Sequence, residues 1–542
     1  MGKNKSNFVV QGSILAFAGI LVRIIGVIYR IPLRQIMGST AMGYYSTAYD
    51  VYSLFLLISS MSMPIAVSKL VSARMAKHEV KNALKMFVGA LIFAIVLGLI
   101  ASLTMFFGAG FISSIAKYKE AKLALKCLAP TLFIMSVLGV LRGYFQGLGT
   151  MIPTAISQVL EQISNCILSI VCGIYLMKAG SKIGQENAYG AAGMTIGTLV
   201  GAFTALLFFI FVFFLYKNVL KKQCRRDKTS ISESYLSITK ALVITIIPVL
   251  LSTTIYNFSN LFDSVIFGNV MSGYFNIPEE KYTSLWGIYS SEYRLLTNVP
   301  IAIASALSSA IIPSLVRSVK EGDRSVVFSK IQTAVRFTAL IAIPAGIGLS
   351  FLAGPILYIL FRDPETYNQS VMLMRLAVFT VVSFSVSTIT NGILQGIDRM
   401  KAPVINSSIA LGIHLVIIFI VLIVFKGGIY GVVISDILYG TIICVLNFVS
   451  LNRYINYKQE MLKTFILPGA ASVIMGILSF GVHHLLMKIG IGNTISTGFA
   501  VIVAIVVYFV LILALRAVDE DELLLMPMGK KIITLAKKIH LL

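Results

Sequence analysis

Long apolar runs alternate with short polar intervals along the whole chain. They fall at about residues 8–33, 42–67, 84–112, 122–148, 153–178, 189–216, 237–270, 284–313, 327–360, 369–396, 403–425, 428–450, 463–488 and 492–516. Each is near the ~20 residues needed to cross a hydrocarbon core, so the pattern predicts fourteen transmembrane spans. A backbone in lipid must satisfy its own hydrogen bonds, and the alternation of a barrel is missing. The expected class is therefore an all-α polytopic membrane protein.

The same pattern divides the chain. Spans 1–6 form an N-terminal lobe over 1–216, a polar cytoplasmic linker covers 217–234, and spans 7–12 form a C-terminal lobe over 235–450. Spans 13 and 14 occupy 451–516, and 517–542 reads as an amphipathic basic helix lying on the inner leaflet. Span 2 ends Met63-Pro64-Ile65-Ala66, and span 8 carries Val299-Pro300-Ile301-Ala302. Span 4 ends in Gly143-Tyr144-Phe145-Gln146-Gly147, followed by Met151 and Pro153. Span 10 ends in Gly392-Ile393-Leu394-Gln395-Gly396, followed by Met400 and Pro403. An even number of spans separates the copies, so the two lobes are expected as parallel repeats about a central site, an alternating-access plan.

Composition agrees with the membrane reading. The 542 residues are 57% hydrophobic and only 12% charged, half the ~25% of a soluble domain. The net charge of +23 comes in bursts between apolar runs rather than among stacking aromatics. That excludes a nucleic-acid partner and favours membrane lipids. Lys69, Arg74, Lys77 and Lys81, the Lys217–Lys228 burst, Arg317, Lys320 and Arg324, and Arg453 and Lys458 share one side. Both termini are thus expected in the cytoplasm; Lys117, Lys119 and Lys122 dissent. The first apolar run reads as a retained span rather than a signal peptide. The five cysteines form no CxxC pair, so neither disulfides nor a metal site are expected.

Ionisable groups inside spans are costly and are functional candidates by default. Arg23 and Arg30 lie seven apart on one face of span 1, and Arg34 continues the face toward the headgroups. Span 2 carries Asp50 beside Tyr45, Tyr49 and Tyr52; span 5 carries a polar stripe of Gln158, Glu161 and Gln162. Span 7 carries Asn257 and Asn260, with Asp263 beside them, and span 8 carries Arg294. Arginines facing a cavity suit a diphosphate or carboxylate through forked hydrogen bonds. Arg23, Arg30, Arg294 and Arg142 are therefore the expected substrate-binding residues. Asp50, Glu161 and Asp263 are expected to couple ions or to pair with the arginines, and Gln158, Gln162, Asn257 and Asn260 to line the cavity. Arg375, Asp436 and His414 are weaker candidates. With no Walker loop, HExxH or catalytic triad order, the chain is not expected to be an enzyme or to need a cofactor. Coupling to the membrane potential, a proton or sodium is expected instead.

Three motifs carry a resemblance: Arg23-Ile24-Ile25-Gly26, Met63-Pro64-Ile65-Ala66-Val67-Ser68-Lys69, and the run from Leu141-Arg142-Gly143 through Pro153 to Glu161-Gln162. With them the chain resembles the polysaccharide-exporter branch of the MOP superfamily, in which MATE transporters are another branch, and within it the MurJ-type lipid II flippases and stage V sporulation proteins B. The resemblance implies flipping of an undecaprenyl-diphosphate-linked peptidoglycan precursor. It implies that Arg23 and Arg294 engage the diphosphate; Tyr29 stands where the family has a second span 1 arginine. Cell-wall synthesis proteins are expected as partners, and the chain itself is expected to be a monomer. Export of another lipid-linked oligosaccharide or a sporulation cortex precursor, and drug or cation antiport, remain alternatives; a membrane glycan polymerase is disfavoured by the short outer loops.

Overall fold

The computed structural model describes residues 2–227 and 233–518; side chains are described except at 2–10, 12, 13, 16, 248–257, 309, 310 and 313. The predicted helix at 519–542 therefore lies outside the described residues. No strand occurs among the described residues. Eleven helices there are long and apolar enough to cross a membrane. Many large apolar side chains point outward along them, including Phe107, Phe111, Phe211 and Ile505, as a lipid solvent permits. The chain is a multi-pass membrane protein.

Two compact units make up the chain, Met1–Gly287 and Ile288–Leu542. The first contains α1 (Gly2–Leu56), α2 (Met63–Ala76), α3 (Val80–Ala116), α4 (Ala121–Gly147), α5 (Ile152–Ser181), α6 (Glu186–Arg226), α7 (Tyr235–Asn269) and α8 (Glu279–Ile288). Gly38, at φ +79°, breaks α1 into two helical arms; only glycine adopts that conformation at little cost. A π turn at Leu57–Met61 leads into α2, whose Pro64 sits in the first turn, where its missing N–H costs nothing. Helix α7 packs on α1, α2 and α3, so the boundary between units falls after the predicted linker rather than within it.

The first part of that linker, residues 217–226, is helical. With no Pro or Gly between Lys217 and Asp227, α6 runs on through Arg226. Asp227 accepts a hydrogen bond from the Lys81 backbone N–H at 2.6 Å. On the far side of 228–232, which lie outside the described residues, Glu233 takes a two-armed ion pair from Arg74. Ser234 then caps α7 by accepting from the Ser237 N–H at 3.2 Å.

The second unit contains α9 (Arg294–Glu321), α10 (Arg324–Phe351), α11 (Ala353–Leu360), α12 (Tyr367–Met374), α13 (Ala377–Gly396), α14 (Lys401–Ile423), α15 (Gly428–Ile455), α16 (Leu467–Lys488) and α17 (Asn493–Ala514). A π turn at Tyr289–Tyr293 precedes α9. Asp323 caps α10 through the Ser325 and Val326 N–H groups at 3.0 and 3.3 Å. The predicted span 327–360 is broken at Leu352, and span 369–396 at Arg375 and Leu376.

The repeated glycines have a packing role. A Cβ on Gly143 would lie 2.8 Å from Val67 Cβ and 2.9 Å from the Pro64 carbonyl; one on Gly147 would lie 2.8 Å from Val71 Cβ. In the second unit a Cβ on Gly392 would fall on Ser308 Oγ, and one on Gly396 would lie 2.9 Å from Leu315 Cδ2. Each pair is four residues apart and lets α4 press on α2, and α13 on α9, at close range. The motif thus performs the same job within each unit.

Candidate functional site

In the first unit α1 turns Arg30 into a cage of tyrosines. Arg30 hydrogen-bonds to Tyr29 and lies beside Tyr45 and Tyr49. The Tyr45 and Tyr49 rings stack at 5.8 Å, and Tyr49 meets Tyr52 at 5.5 Å. Arg30 Nε is buried without a hydrogen-bond partner. A buried, charged donor held in this way is costly unless something accepts from it. Tyr49 is also within electrostatic reach of Glu161 and Asp50, so the predicted carboxylates border the same cage.

Glu161 has a second engagement. Arg142, buried in α4, donates from Nη2 to Glu161 Oε2 at 2.6 Å and from Nε to Ser157 Oγ at 3.2 Å. The α4–α5 hairpin brings these groups together, because Ser157 and Glu161 are one turn apart on α5. Both arms of the Arg142 fork are thereby held by α5, and Glu161 stands between that pair and the Arg30 cage.

The remaining predicted residues are placed as follows. Arg23 is exposed on α1. Between it and Arg30, Gly26 faces Gln162, whose Nε2 would sit 3.4 Å from a Cβ there. Gln158 and Asn260 are half-buried, as is Asp50. Asp263 is fully buried in α7, next to Ser264, whose hydroxyl donates to Thr47 Oγ1 at 3.5 Å. The Asn257 side chain lies outside the described residues. Arg34 is buried within the unit, at 1% exposure, rather than reaching headgroups.

In the second unit Arg294 opens α9 directly after the π turn. Its guanidinium lies 5.7 Å from the Tyr289 ring centre, a cation–π contact. Tyr289 stacks on Tyr293 at 5.9 Å and donates to Asp436 Oδ2. The Tyr293 hydroxyl pairs with Thr380 Oγ1 at 2.5 Å. His414 Nδ1 contacts the Ser435 carbonyl at 3.1 Å, and its ring packs on Tyr439 at 5.1 Å. Arg294 and Asp436 are thus joined through one tyrosine, a link that spacing in the sequence does not suggest.

Two further charged contacts escaped the sequence reading. Arg336, almost wholly buried in α10, pairs with Glu460, which also accepts from Gln332 Nε2 at 2.5 Å. An arginine inside span 9 was a signal under the same rule that singled out Arg30; its partner, in a loop far along the chain, was not. Outside the spans, Glu120 lies beside two further carboxylates. Its backbone N–H donates to Glu279 Oε1 at 3.3 Å, and burial, then Glu279 and Glu280, push its carboxyl pKa up.

The family model described as polysaccharide biosynthesis protein matches residues 9–319, more than half of the chain. The chain belongs to the polysaccharide biosynthesis protein family. A second model, MatE, matches residues 294–420 of this family member, consistent with membership of the MOP superfamily. The family member is 26% identical to the lipid II flippase MurJ of Bacillus subtilis over 86% of each chain. It is 24% identical to stage V sporulation protein B of the same organism over 98% of this chain and 99% of that one. Among solved structures, lipid II flippase MurJ in an inward closed conformation aligns with a TM-score of 0.63 at 17% identity, over 92% of this chain and 97% of that one. An inward-facing MATE multidrug transporter aligns at 0.59 and 18% identity, over 79% and 98%. The MurJ flippases and MATE proteins among these are transporters rather than enzymes.

Proposed function

We propose that this chain is a flippase carrying an undecaprenyl-diphosphate-linked peptidoglycan precursor, lipid II, from the inner to the outer leaflet. The observation that carries the reading is Arg30: a membrane-embedded guanidinium, caged by tyrosines, with a buried donor awaiting an acceptor. A diphosphate supplies that acceptor and matches the arginine's charge. Arg294, with its face on Tyr289, and exposed Arg23 are the other proposed headgroup contacts.

The mechanism follows from charge and burial. The headgroup enters a polar cavity while its lipid tail stays in the bilayer. Glu161, shared between Arg142 and the Arg30 cage, competes with the diphosphate for positive charge, so loading and release are coupled to its partner choice. Asp50 and Asp263 are proposed as the groups through which membrane potential, a proton or sodium sets the direction. The proposal includes fourteen spans in two six-helix lobes plus two, with the break at Gly38 separating the first two and α7 and α9 supplying two more. It includes cytoplasmic termini, a monomeric state, and cell-wall synthesis proteins as neighbours.

A second reading, export of a sporulation-stage precursor, is favoured by the near end-to-end match to stage V sporulation protein B. One experiment separates them. The chain is expressed in a strain depleted of its vegetative flippases, and inner-leaflet lipid-linked intermediates are quantified. Restored growth with clearance of lipid II supports the first reading, and abolition of both by Arg30→Ala and Arg294→Ala at unchanged membrane levels ties it to the site. Growth sustained by both variants overturns the proposed site, and rescue of spore cortex alone favours the second reading.

A further inference from the structure

Phe145 and Leu148 at the end of α4, Pro153 at the start of α5, and Val212, Leu215 and Tyr216 of α6 line an apolar cavity of about 440 Å³ within the first unit. The transport reading does not use it. Helix α6 has 41 residues, roughly 61 Å at 1.5 Å per residue, against a hydrocarbon core of about 30 Å. It must therefore emerge from the membrane. Between Glu186 and Lys217 it carries no charge; beyond that point come Lys217, Lys221, Lys222, Arg225 and Arg226, all exposed. Among the described residues none of the five forms an ion pair. The cavity thus sits one turn below the first cation, at the depth where acyl chains meet headgroups.

Register sharpens this. Val212, Leu215, Val219, Lys222 and Arg226 follow one another at steps of three and four, so they form one stripe along α6. The stripe starts on the cavity wall and ends on two cations, which stand roughly 10 and 16 Å from Leu215 along the axis. Leu215 and Val219 are exposed, at 66% and 46%, so the stripe is open from outside.

We propose that this stripe and cavity bind one anionic phospholipid of the adjacent leaflet, an acyl chain filling the cavity and the phosphate meeting Lys222 and Arg226. An apolar cavity and unpaired cations on one helical face ask for a ligand that is apolar at one end and anionic at the other. The basic segment at the C-terminus is a poor occupant, because Lys530, Lys531, Lys537 and Lys538 would meet like charge.

The test uses the full chain in phosphatidylcholine nanodiscs, with phosphatidylglycerol or phosphatidylcholine carrying a photoreactive diazirine in the acyl chain. Crosslinks are mapped by peptide mass spectrometry. The phosphatidylglycerol probe is expected to label 145–153 and 212–219 with roughly 30-fold preference, the equivalent of about 2 kcal/mol for two basic residues near a surface. K222Q/R226Q should abolish that preference without changing yield or elution volume. L215W should block labelling in the cavity and leave labelling elsewhere intact. Equal labelling by the two probes, or an unchanged preference in K222Q/R226Q, overturns the proposal. So does displacement of the label by unlabelled polyprenyl phosphate but not by unlabelled phosphatidylglycerol, which would assign the cavity to the transported lipid.

Discussion

Alanine at Gly143 tests whether the repeated glycine motif is a packing device. The new Cβ would meet Val67 Cβ at 2.8 Å, the Pro64 carbonyl oxygen at 2.9 Å and Pro64 Cα at 3.0 Å. Two of those three atoms are backbone and cannot swing aside. Forcing a methyl into a filled interface costs about 1–3 kcal/mol, while alanine in place of glycine returns up to about 1 kcal/mol of helix propensity. The net expectation is a loss of about 1–2 kcal/mol. Gly412, in the middle of α14 with nothing within 4 Å of its Cβ position, is the control, and G412A should be neutral or up to about 1 kcal/mol more stable. At Gly392 the obstacle is the Ser308 hydroxyl, with Ser308 Cβ at 3.2 Å. There G392A should be destabilising alone and largely rescued by S308A, whereas V67A should not rescue G143A, since the Pro64 backbone remains. Equilibrium unfolding of the purified protein in mixed micelles measures all five. If G143A proves as stable as G412A, or if S308A gives G392A no relief, the packing account is refuted.

Other outcomes follow from the charged contacts. Glu161→Ala should cost about 3 kcal/mol, measured by the same unfolding, because it leaves the buried Arg142 guanidinium with Ser157 alone; the E161L/R142M double variant should lose less than E161A. Arg336→Ala should cost about 3 kcal/mol and Arg317→Ala under about 0.5 kcal/mol. The Arg336–Glu460 pair is 2% and 35% exposed, and the Arg317–Glu321 pair 82% and 56%. Glu120 holds its proton more tightly when folded, so its contribution favours folding at low pH and is lost as pH rises from about 4.5 through the raised value. Glu120→Gln should therefore be more stable than the parent at pH 7, with the advantage vanishing below pH 4.5, as followed by thermal unfolding across pH.

The membrane class was legible because apolar runs of spanning length leave little freedom: lipid admits helices and few alternatives. The boundary at Gly38 was legible too, since the predicted runs end at 33 and resume at 42. The continuation of α6 to Arg226 was not, because a burst of lysines reads as a loop although lysine and arginine are good helix formers. In the site, Arg30 and Asp50 stood out as charges in apolar runs. The caging of Arg30 by Tyr45 and Tyr49, and the joining of Arg142 to Glu161, depend on which faces the folded chain brings together. Spacing along one helix does not carry that information, because it lies in the pairing between helices. The Arg336–Glu460 contact shows the limit most clearly, as its partners lie on α10 and in the loop before α16.

The π turn at Tyr289–Tyr293 has a mechanical consequence. It accommodates one residue more than an α turn. If those five residues tightened to α geometry, everything after them would turn like a screw by about 100° with a rise of about 1.5 Å. Arg294 is the first residue after the turn, so its guanidinium would leave the Tyr289 ring and sweep through more than a quarter of a circle. A local change in backbone winding is thus enough to present or withdraw a positive charge.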